Sequence, residues 1–302
     1  MIVAMFPGQG AQVVGMGRAL SEDYAVARRT FEEADAVLGY ALSKICFEGP
    51  AERLMETDVC QPALVATSVA AFRVASEAGL RPGLVMGHSL GEYSALVAGG
   101  ALGLADGVRL VAERGAAMLE AGRTSPGAMA AVIGLSDDDA RALADEAGDV
   151  WPANFNCPGQ VVVSGTVAGV DRLVALAGER SVRVMRLALD GAYHSPLMEP
   201  AAARLAPALQ AWDPVASDPP FLSTTTGVVE PPKRLREILL AQLTSPVRFG
   251  DAVEAAMALG AGRFVELGPG RVLSGLVRRI RRDAPVANLS EPGDVDALAA
   301  VG

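Results

Sequence analysis

The sequence predicts an α/β fold with a largely parallel sheet, into which a smaller α+β subdomain is inserted. Three observations support this prediction. Apolar runs typical of buried strands alternate with helical patterns, a β-α-β-β-α-β order interrupts them in mid-chain, and turn-forming residues flank the interruption. The 302 residues, 51% of them hydrophobic, suit one large domain or two small ones and exclude intrinsic disorder.

The first part of the chain repeats a strand–turn–helix pattern. Residues 2–6 are an apolar run that ends at Pro7-Gly8, and residues 84–87 are a second such run. Apolar residues recur at helical spacing in the segments between and after these runs, at residues 21–38, 47–56, 60–78, 91–98 and 106–120. Buried strands that are each followed by helices predict a parallel sheet covered by helices.

The middle of the chain has a different order of elements. A strand, a helix, two strands, a helix and a strand are predicted in turn at residues 128–135, 137–147, 150–156, 160–164, 168–178 and 182–189. This is the order of a ferredoxin-like unit. Turn-forming residues at 122–127 and at Asp190-Gly191 mark its two ends. We therefore predict a large domain of residues 1–126 and 191–302 and a small subdomain of residues 127–190.

The last part of the chain returns to the α/β pattern. Strands are expected at residues 221–225 and 264–267, after a Pro-rich loop at residues 212–220. Helices are expected at residues 196–209, 235–243, 249–259 and 272–282. These elements would complete the parallel sheet of the large domain.

Composition excludes several kinds of protein. A net charge of −9 and a pI of about 4.9 argue against indiscriminate nucleic-acid binding, which needs a broad basic surface. Three cysteines without CxxC spacing fit a reducing compartment and argue against a disulfide framework or a zinc site. The sequence has neither an uncharged apolar run of about 18 residues nor a basic leader segment. We expect a cytoplasmic protein without a metal, a membrane span or a nucleic-acid partner.

The strongest chemical signal is Gly87-His88-Ser89-Leu90-Gly91, a G-x-S-x-G pattern between a predicted strand and a predicted helix. Its glycines allow a sharp turn that presents the Ser89 hydroxyl above the sheet, although an ordinary Gly-rich turn has the same composition. A serine nucleophile needs a base, and the chain contains only His88 and His194. Because such a turn directs residue 88 away from the serine, His194 is the favoured base.

Two further segments are candidates for binding. The loop at residues 6–12 is Gly-rich but has Val13 where a dinucleotide-binding loop needs a third glycine, and it lacks the Gly-Lys-Ser/Thr ending of a P-loop. Such a loop can supply a backbone N–H to an oxyanion. Arg114 lies in an otherwise apolar helical segment. It is either a surface arginine with a buried stem or, if buried near Ser89, a ligand for a substrate carboxylate.

Taken together, these segments resemble the malonyl-CoA:acyl carrier protein transacylases of fatty acid synthesis and the related acyltransferases of polyketide synthases. The resemblance extends over nearly the whole chain. It is carried by FPGQGAQ (6–12), GHSLGEYSAL (87–96), VAERGAAM (111–118), NCPGQVVVSG (156–165), YHSPLM (193–198), QLTSPVRF (242–249) and ELGPGRVLSGL (266–276). It implies a hydrolase-like α/β domain with a ferredoxin-like insert, in agreement with the order of elements.

The resemblance also implies roles for individual residues. Ser89 would carry the acyl group and His194 would be its base. Gln242 would orient His194 through its main-chain carbonyl, in place of the acid of a hydrolase triad. The backbone N–H groups of Gln9 and Leu90 would form the oxyanion hole.

The substrate pocket is expected to contain several further residues. By the resemblance, Arg114 would bind the free carboxylate of malonate. His88, Asn156 and Tyr193 are further pocket candidates. In the polyketide relatives the residues that end at the base correlate with the acyl group, and here Gly191-Ala192-Tyr193-His194 matches neither the malonyl nor the methylmalonyl form.

The implied activity is that of a malonyl-CoA:acyl carrier protein S-malonyltransferase. Its substrates would be malonyl-CoA and a phosphopantetheinylated acyl carrier protein, its kinetics would be ping-pong, and the chain would be a monomer without a permanently bound cofactor. Alternatives on the same scaffold are an acyl hydrolase and a polyketide acyltransferase for methylmalonyl or another extender. A non-catalytic carrier-docking protein and a serine lipase or esterase are further alternatives.

An acidic carrier protein would need a local basic patch on this acidic chain. Two clusters of cationic residues are candidates. They are Arg278, Arg279, Arg281 and Arg282 in the closing helix, and Lys233, Arg234 and Arg236 before it. Each could equally be a solvated charged face.

Overall fold

The computed structural model describes residues 1–189 and 191–299. Its strands are β1 (Ile2–Phe6), β2 (Leu84–Gly87), β3 (Gly127–Ile133), β4 (Val150–Cys157), β5 (Gln160–Thr166), β6 (Arg183–Arg186), β7 (Phe221–Leu222), β8 (Arg263–Leu267) and β9 (Val286–Leu289). Its helices are α1 (Arg18–Asp23), α2 (Ala25–Leu38), α3 (Leu42–Glu48), α4 (Ala51–Met55), α5 (Thr57–Glu77), α6 (Gly91–Ala98), α7 (Leu104–Thr124), α8 (Asp137–Ala147), α9 (Val167–Glu179), α10 (Glu199–Ala211), α11 (Leu235–Ala241), α12 (Phe249–Ala258), α13 (Val272–Ile280) and α14 (Asp294–Ala299).

The central sheet is parallel and has the strand order β7-β2-β1-β8-β9. Ala4 of β1 is in register with Val85 on one side and Val265 on the other. Because side chains alternate along a strand, Ala4 and Phe6 pack into one core cluster and Val3 and Met5 into a second. Both faces are therefore buried, as in other parallel sheets covered by helices. The predicted fold class is confirmed.

The inserted region forms a separate antiparallel sheet with the order β4-β5-β3-β6, over which α8 and α9 pack around their own core. This strand order follows from two β-α-β units that are interleaved, the ferredoxin-like arrangement. Helix α7 ends at Thr124 and β3 begins at Gly127. The domain boundary predicted between residues 126 and 127 falls between them and stays a prediction. The predicted second boundary includes Asp190, which lies outside the described residues.

Several element boundaries differ from the sequence-based expectation. The helix expected at residues 47–56 is two helices, α3 and α4, because Gly49 has a φ of 83° and Pro50 has no N–H to continue the first. The helix expected at residues 21–38 is likewise divided at Tyr24, which has extended backbone angles. Strand β9 and helix α14 were not expected. Residues 286–289 have no strong strand composition, and their pairing with β8 comes from tertiary structure.

Helix α5 is the one helix in the described ranges that is long and apolar enough to cross a membrane by length and hydropathy. Of the 18-residue window that meets this criterion, 83% is buried inside the protein. Its apolar residues include Leu64, Val65 and Val69 in the main core. Burial within the core is sufficient to account for its composition.

Candidate active site

Ser89 lies at the turn between β2 and α6, where the chain reverses sharply. Its φ is 51°, in the left-handed region that non-glycine residues rarely adopt. A Cβ atom on Gly87 would lie 1.9 Å from the carbonyl carbon of Gly91, and one on Gly91 would lie 2.0 Å from the Phe6 carbonyl oxygen. Only glycine fits at either position, so the two glycines of the motif permit the turn that exposes the Ser89 hydroxyl.

His194 approaches the serine from the segment that follows the inserted sheet. Its Nε2 lies 2.8 Å from Ser89 Oγ. Its Nδ1 lies 2.8 Å from the Gln242 carbonyl oxygen and 3.2 Å from that of Ser245. Because carbonyl oxygens only accept hydrogen bonds, Nδ1 carries the proton and Nε2 is free to accept one from the hydroxyl.

The environment of His194 keeps its imidazole neutral. Burial, reinforced by the charge of Arg114, lowers the pKa of His194 from 6.5 to about 3. A neutral imidazole at physiological pH is the form that removes a proton. Burial also lowers the pKa of His88, the second imidazole of the site.

Arg114 is fully buried beside the serine, which excludes the alternative of a surface arginine. Its Nη2 donates to Ser89 Oγ at 3.3 Å and to Gln242 Oε1 at 3.0 Å, and its Nη1 donates to Gln61 Oε1 at 2.9 Å. All three partners are neutral oxygens. Within residues 1–189 and 191–299, Arg114 has no ion-pair partner, and its buried Nε has no hydrogen-bond acceptor. The site therefore holds a buried cation that lacks an anion.

Gln242 and Glu92 form a fully buried polar cluster behind the serine. The Gln242 side chain donates to Glu92 Oε2 at 2.5 Å and to the Ser89 carbonyl oxygen at 3.0 Å. Glu92 Oε1 accepts from the Ser223 hydroxyl at 2.8 Å and from the Thr224 N–H at 2.5 Å. Burial raises the pKa of the Glu92 carboxyl, and these hydrogen bonds oppose that shift.

Two backbone N–H groups lie beside the serine without an internal acceptor. Gln9 is in the loop after β1, and Leu90 is at the N-cap of α6. Across the part of the chain that the structure describes, neither N–H donates a hydrogen bond to protein. Gly8 brings the two loops together, since a Cβ there would lie 2.5 Å from the His88 carbonyl oxygen. Both N–H groups are thus available to an oxygen on the substrate.

The remaining pocket candidates line the same cavity as Ser89. The His88 ring is hydrogen-bonded through Nε2 to Asn156 Oδ1 at 2.9 Å, and so points away from the serine as expected. The Tyr193 hydroxyl lies 3.0 Å from the Thr57 hydroxyl, which also accepts from Gln9 Nε2 at 3.2 Å. Thr57 therefore links the Tyr193 side chain to that of Gln9.

The cavity has a volume of about 530 Å³ and lies between the central sheet and the inserted sheet. Its walls come from the β1 and β2 loops, from β3–β5 and from the start of α13. Both polar and apolar side chains line it, as in sites for small molecules and cofactors. Among the described residues, no group of three or more His, Cys, Asp or Glu side chains is arranged to hold a metal ion.

The two basic clusters differ in how many of their charges are free. Arg234 pairs with Glu230 and Glu237, and Arg236 pairs with Asp213. In α13 and the residues after it, Arg281 pairs with Glu254. The three other arginines of that cluster are exposed and have no ion-pair partner within the described ranges; they are Arg278, Arg279 and Arg282.

Sequence reasoning missed the residues that support the site from behind. Gln61, Glu92 and Ser245 each contact a candidate site residue. Glu92 belongs to the segment that contains the serine motif, so its position in the sequence was a usable signal. Gln61 lies in an apolar core helix, and only the fold brings it to Arg114.

Comparison with known proteins connects this geometry to a family. Residues 3–291 match the family model described as "Acyl transferase domain". The malonyl CoA-acyl carrier protein transacylase of Bacillus subtilis (strain 168) is 43% identical over 301 residues, which are 98% of this chain and 95% of that protein.

Solved structures agree with the sequence comparison. The malonyl CoA-acyl carrier protein transacylase of Coxiella burnetii superimposes with a TM-score of 0.96 at 35% identity, covering 99% of this chain and 96% of that one. A malonyl-transacylase in complex with a type II PKS acyl-carrier protein superimposes with a TM-score of 0.96 at 37% identity, covering 100% of this chain and 99% of that one.

Proposed function

The chain belongs to the acyl transferase domain family, within the group of malonyl-CoA:acyl carrier protein transacylases, and we propose that it transfers a malonyl group from malonyl-CoA to an acyl carrier protein through Ser89. The buried Arg114 beside Ser89, which lacks an ion-pair partner among the described residues, is the observation that carries this proposal. A malonyl group ends in a carboxylate, which would complete that pair.

In the first half-reaction, Ser89 Oγ attacks the thioester carbonyl of malonyl-CoA while His194 Nε2 takes the hydroxyl proton. The 2.8 Å contact between these atoms and the protonated Nδ1 of His194 support this role. The carbonyl oxygen becomes an oxyanion, and we assign its donors to the N–H groups of Gln9 and Leu90, which line the cavity and donate to no protein acceptor among the described residues. When the C–S bond breaks, His194 returns the proton to the CoA sulfur.

In the second half-reaction, the phosphopantetheine thiol of the carrier attacks the malonyl-Ser89 ester. His194 takes the thiol proton and delivers it to Ser89 Oγ as the C–O bond breaks. Because one product leaves before the second substrate reacts, the kinetics are ping-pong. The similar transacylase that forms a complex with an acyl-carrier protein supports this choice of acceptor.

The proposal is tested by mixing the protein with malonyl-CoA and a phosphopantetheinylated carrier. We expect the intact mass of the carrier to increase by one malonyl group, with little free malonate. The Ser89→Ala variant provides the control, because it keeps the cavity but lacks the hydroxyl. Release of free malonate in place of malonyl-carrier would identify a hydrolase instead, and equal transfer by Ser89→Ala would exclude the serine mechanism.

A further inference from the structure

Glu92 is a fully buried carboxylate that the proposed mechanism does not use. It lies in the first turn of α6, three residues after Ser89, and its solvent exposure is 0%. Its Oε1 atom is held by Ser223 and Thr224 at the end of β7. Its Oε2 atom accepts from Gln242 Nε2 at 2.5 Å. Burying a carboxylate costs desolvation free energy, so the presence of Glu92 beside the site suggests that it has a function there.

The contact with Glu92 determines which way the Gln242 amide faces. A carboxylate accepts hydrogen bonds, so it selects the NH₂ end of the amide, and the same NH₂ donates to the Ser89 carbonyl oxygen. The amide oxygen must then point the other way, to Arg114 Nη2 at 3.0 Å. With the amide reversed, its NH₂ would face the guanidinium, and both groups would be donors.

This arrangement separates the buried anion from the buried cation by one neutral amide. A carboxylate in direct contact would form an ion pair with Arg114 and occupy the donors that a substrate carboxylate needs. With Gln242 between them, Glu92 still supplies a favourable charge for Arg114, while the guanidinium keeps only neutral oxygen partners within the described residues.

We propose that Glu92 is a positioning residue for the acyl carboxylate: through the Gln242 amide it orients the Arg114 guanidinium and leaves it unpaired for a dicarboxylic acyl group. This inference rests on the proposed function and deepens it. It assigns the preference for malonyl over acetyl partly to a residue that touches neither acyl group.

The first test replaces Glu92 by Gln, which has the same shape without the charge. In Glu92→Gln, the Gln242 amide loses its charged acceptor, and only the Ser89 carbonyl and Arg114 still select its orientation. We expect the ratio of kcat/KM for malonyl-CoA to kcat/KM for acetyl-CoA to fall about tenfold, mainly through a higher KM for malonyl-CoA. If Glu92 had a purely structural role, the substitution would lower kcat/KM for malonyl-CoA and for acetyl-CoA by the same factor, and their ratio would not change.

The second test exchanges the two groups. In the Glu92→Gln/Gln242→Glu double variant, an amide again faces a carboxylate, so the hydrogen bond between the two positions is restored. The carboxylate now contacts Arg114 directly and competes with the substrate. We expect the double variant to unfold at a higher temperature than Gln242→Glu alone, where two carboxylates meet, and to have a malonyl-to-acetyl ratio no higher than that of Glu92→Gln.

Glu266 offers a matched control. Its side chain is also 0% exposed to solvent. It accepts hydrogen bonds from the Leu273 and Ser274 N–H groups at the start of α13 and from the Asn288 side chain in β9. Glu266→Gln makes the same chemical change in a buried carboxylate that does not contact Arg114 or Gln242. Its stability should fall, but its malonyl-to-acetyl ratio should equal that of the wild type.

The outcomes separate this inference from the proposed function. If the wild-type protein fails to transfer malonyl, the proposed function is wrong. If it transfers malonyl and Glu92→Gln keeps the wild-type ratio, or if Glu266→Gln lowers the ratio as much, the positioning role of Glu92 is wrong. A swapped variant with the wild-type ratio would also overturn it.

Discussion

Ser89 and His194 both adopt left-handed backbone conformations, with φ values of 51° and 59°. Neither is glycine, so each conformation costs about 1–3 kcal/mol that the surrounding structure must offset. The hydrogen bonds of the His194 ring and the close packing of Gly87 against Gly91 hold the two residues in place. The surrounding structure thus holds Ser89 Oγ and His194 Nε2 at 2.8 Å despite the strained backbone at both residues.

The low pKa of His194 predicts how activity and stability depend on pH. Its pKa is depressed from 6.5 to about 3, so the folded protein keeps the imidazole neutral where the unfolded chain binds a proton. Stability is therefore lost as the pH falls from 6.5 towards 3. We expect wild-type protein to lose more unfolding free energy than His194→Gln between about pH 7 and about pH 4.5, measured by urea denaturation.

The same shift predicts the pH profile of acylation. The acid limb of kcat/KM for malonyl-CoA should lie well below pH 6.5, since the base stays unprotonated. The rate of acyl-enzyme formation in a single turnover, followed as a function of pH, measures the position of this limb. A limb at or above pH 6.5 would mean that the imidazole is not shielded as the structure indicates.

Arg114→Ala tests the carboxylate site directly. Removing one partner of a buried charge pair costs about 3–5 kcal/mol, so kcat/KM for malonyl-CoA should fall roughly 10²- to 10⁴-fold. The kcat/KM for acetyl-CoA, whose acyl group has no carboxylate, should fall much less. Acyl-enzyme formation from each donor provides the measurement, and equal losses for the two donors would show that Arg114 is structural.

At the residue scale, motif chemistry predicted Ser89, and the scarcity of histidine predicted His194. The alternative of a surface arginine at position 114 could not be excluded from sequence, because burial of a charged side chain depends on what packs around it. Glu92 was missed for the same reason. Its partners, Ser223, Thr224 and Gln242, are more than 130 residues away along the chain.

At the scale of elements, the turn between β2 and α6 depends on close backbone approach. Gly91→Ala would bring a Cβ to 2.0 Å from the backbone oxygen of Phe6, which cannot move without breaking the pairing of β1. We expect a loss of about 2 kcal/mol or more in unfolding free energy, together with loss of Ser89 acylation. Thermal and urea unfolding measure the first effect, and intact mass measures the second.

Gly275 provides the contrasting substitution. It is exposed within α13, and a Cβ there meets nothing within 4 Å. Gly275→Ala should raise stability by about 0.5–1 kcal/mol, because alanine loses less backbone entropy in a helix. If both alanine variants changed stability alike, close packing would not be the reason for Gly91.

Elements with strong periodicity were predictable and elements that depend on tertiary pairing were not. β1 and β2 are continuous apolar runs and β8 is apolar at Phe264, Val265 and Leu267, and this hydrophobicity reflects burial on both faces of the sheet. β9 has four residues that are mostly half-buried and gains its conformation from the edge of β8. The order of elements in the insert was correct, whereas β6 is shorter than expected.

At the scale of the molecule, the site is formed where the two sheets meet. β4 of the inserted sheet is hydrogen-bonded to the main domain, since the Phe155 N–H donates to the Val247 carbonyl and the Val247 N–H donates to that of Ala153, both at 2.8 Å. Val247 lies two residues after Ser245, whose carbonyl oxygen is hydrogen-bonded to His194 Nδ1. The position of the inserted sheet is therefore linked to that of the His194 ring.

Docking of an acidic carrier should depend on the free arginines near α13. The start of this helix lines the cavity, and Arg278 and Arg282 at and beyond its end are exposed and unpaired within the described residues. In Arg278→Glu/Arg282→Glu, transfer from malonyl-enzyme freed of CoA to the carrier should slow about fivefold to tenfold at low salt. Lys233→Glu/Arg236→Glu is the control, and an equal effect of both pairs would contradict docking at α13.

The central claim is that the Ser89 hydroxyl, activated by His194, accepts the acyl group, and that Arg114 beside it selects acyl groups that carry a free carboxylate. The most direct measurement offers malonyl-, methylmalonyl- and acetyl-CoA together, without a carrier, and identifies the trapped acyl group by peptide mass mapping. The account predicts a carboxylate-bearing acyl group, chiefly malonyl, on Ser89 alone. Acetyl on Ser89 in proportion to its concentration, or acylation at another residue, would contradict it.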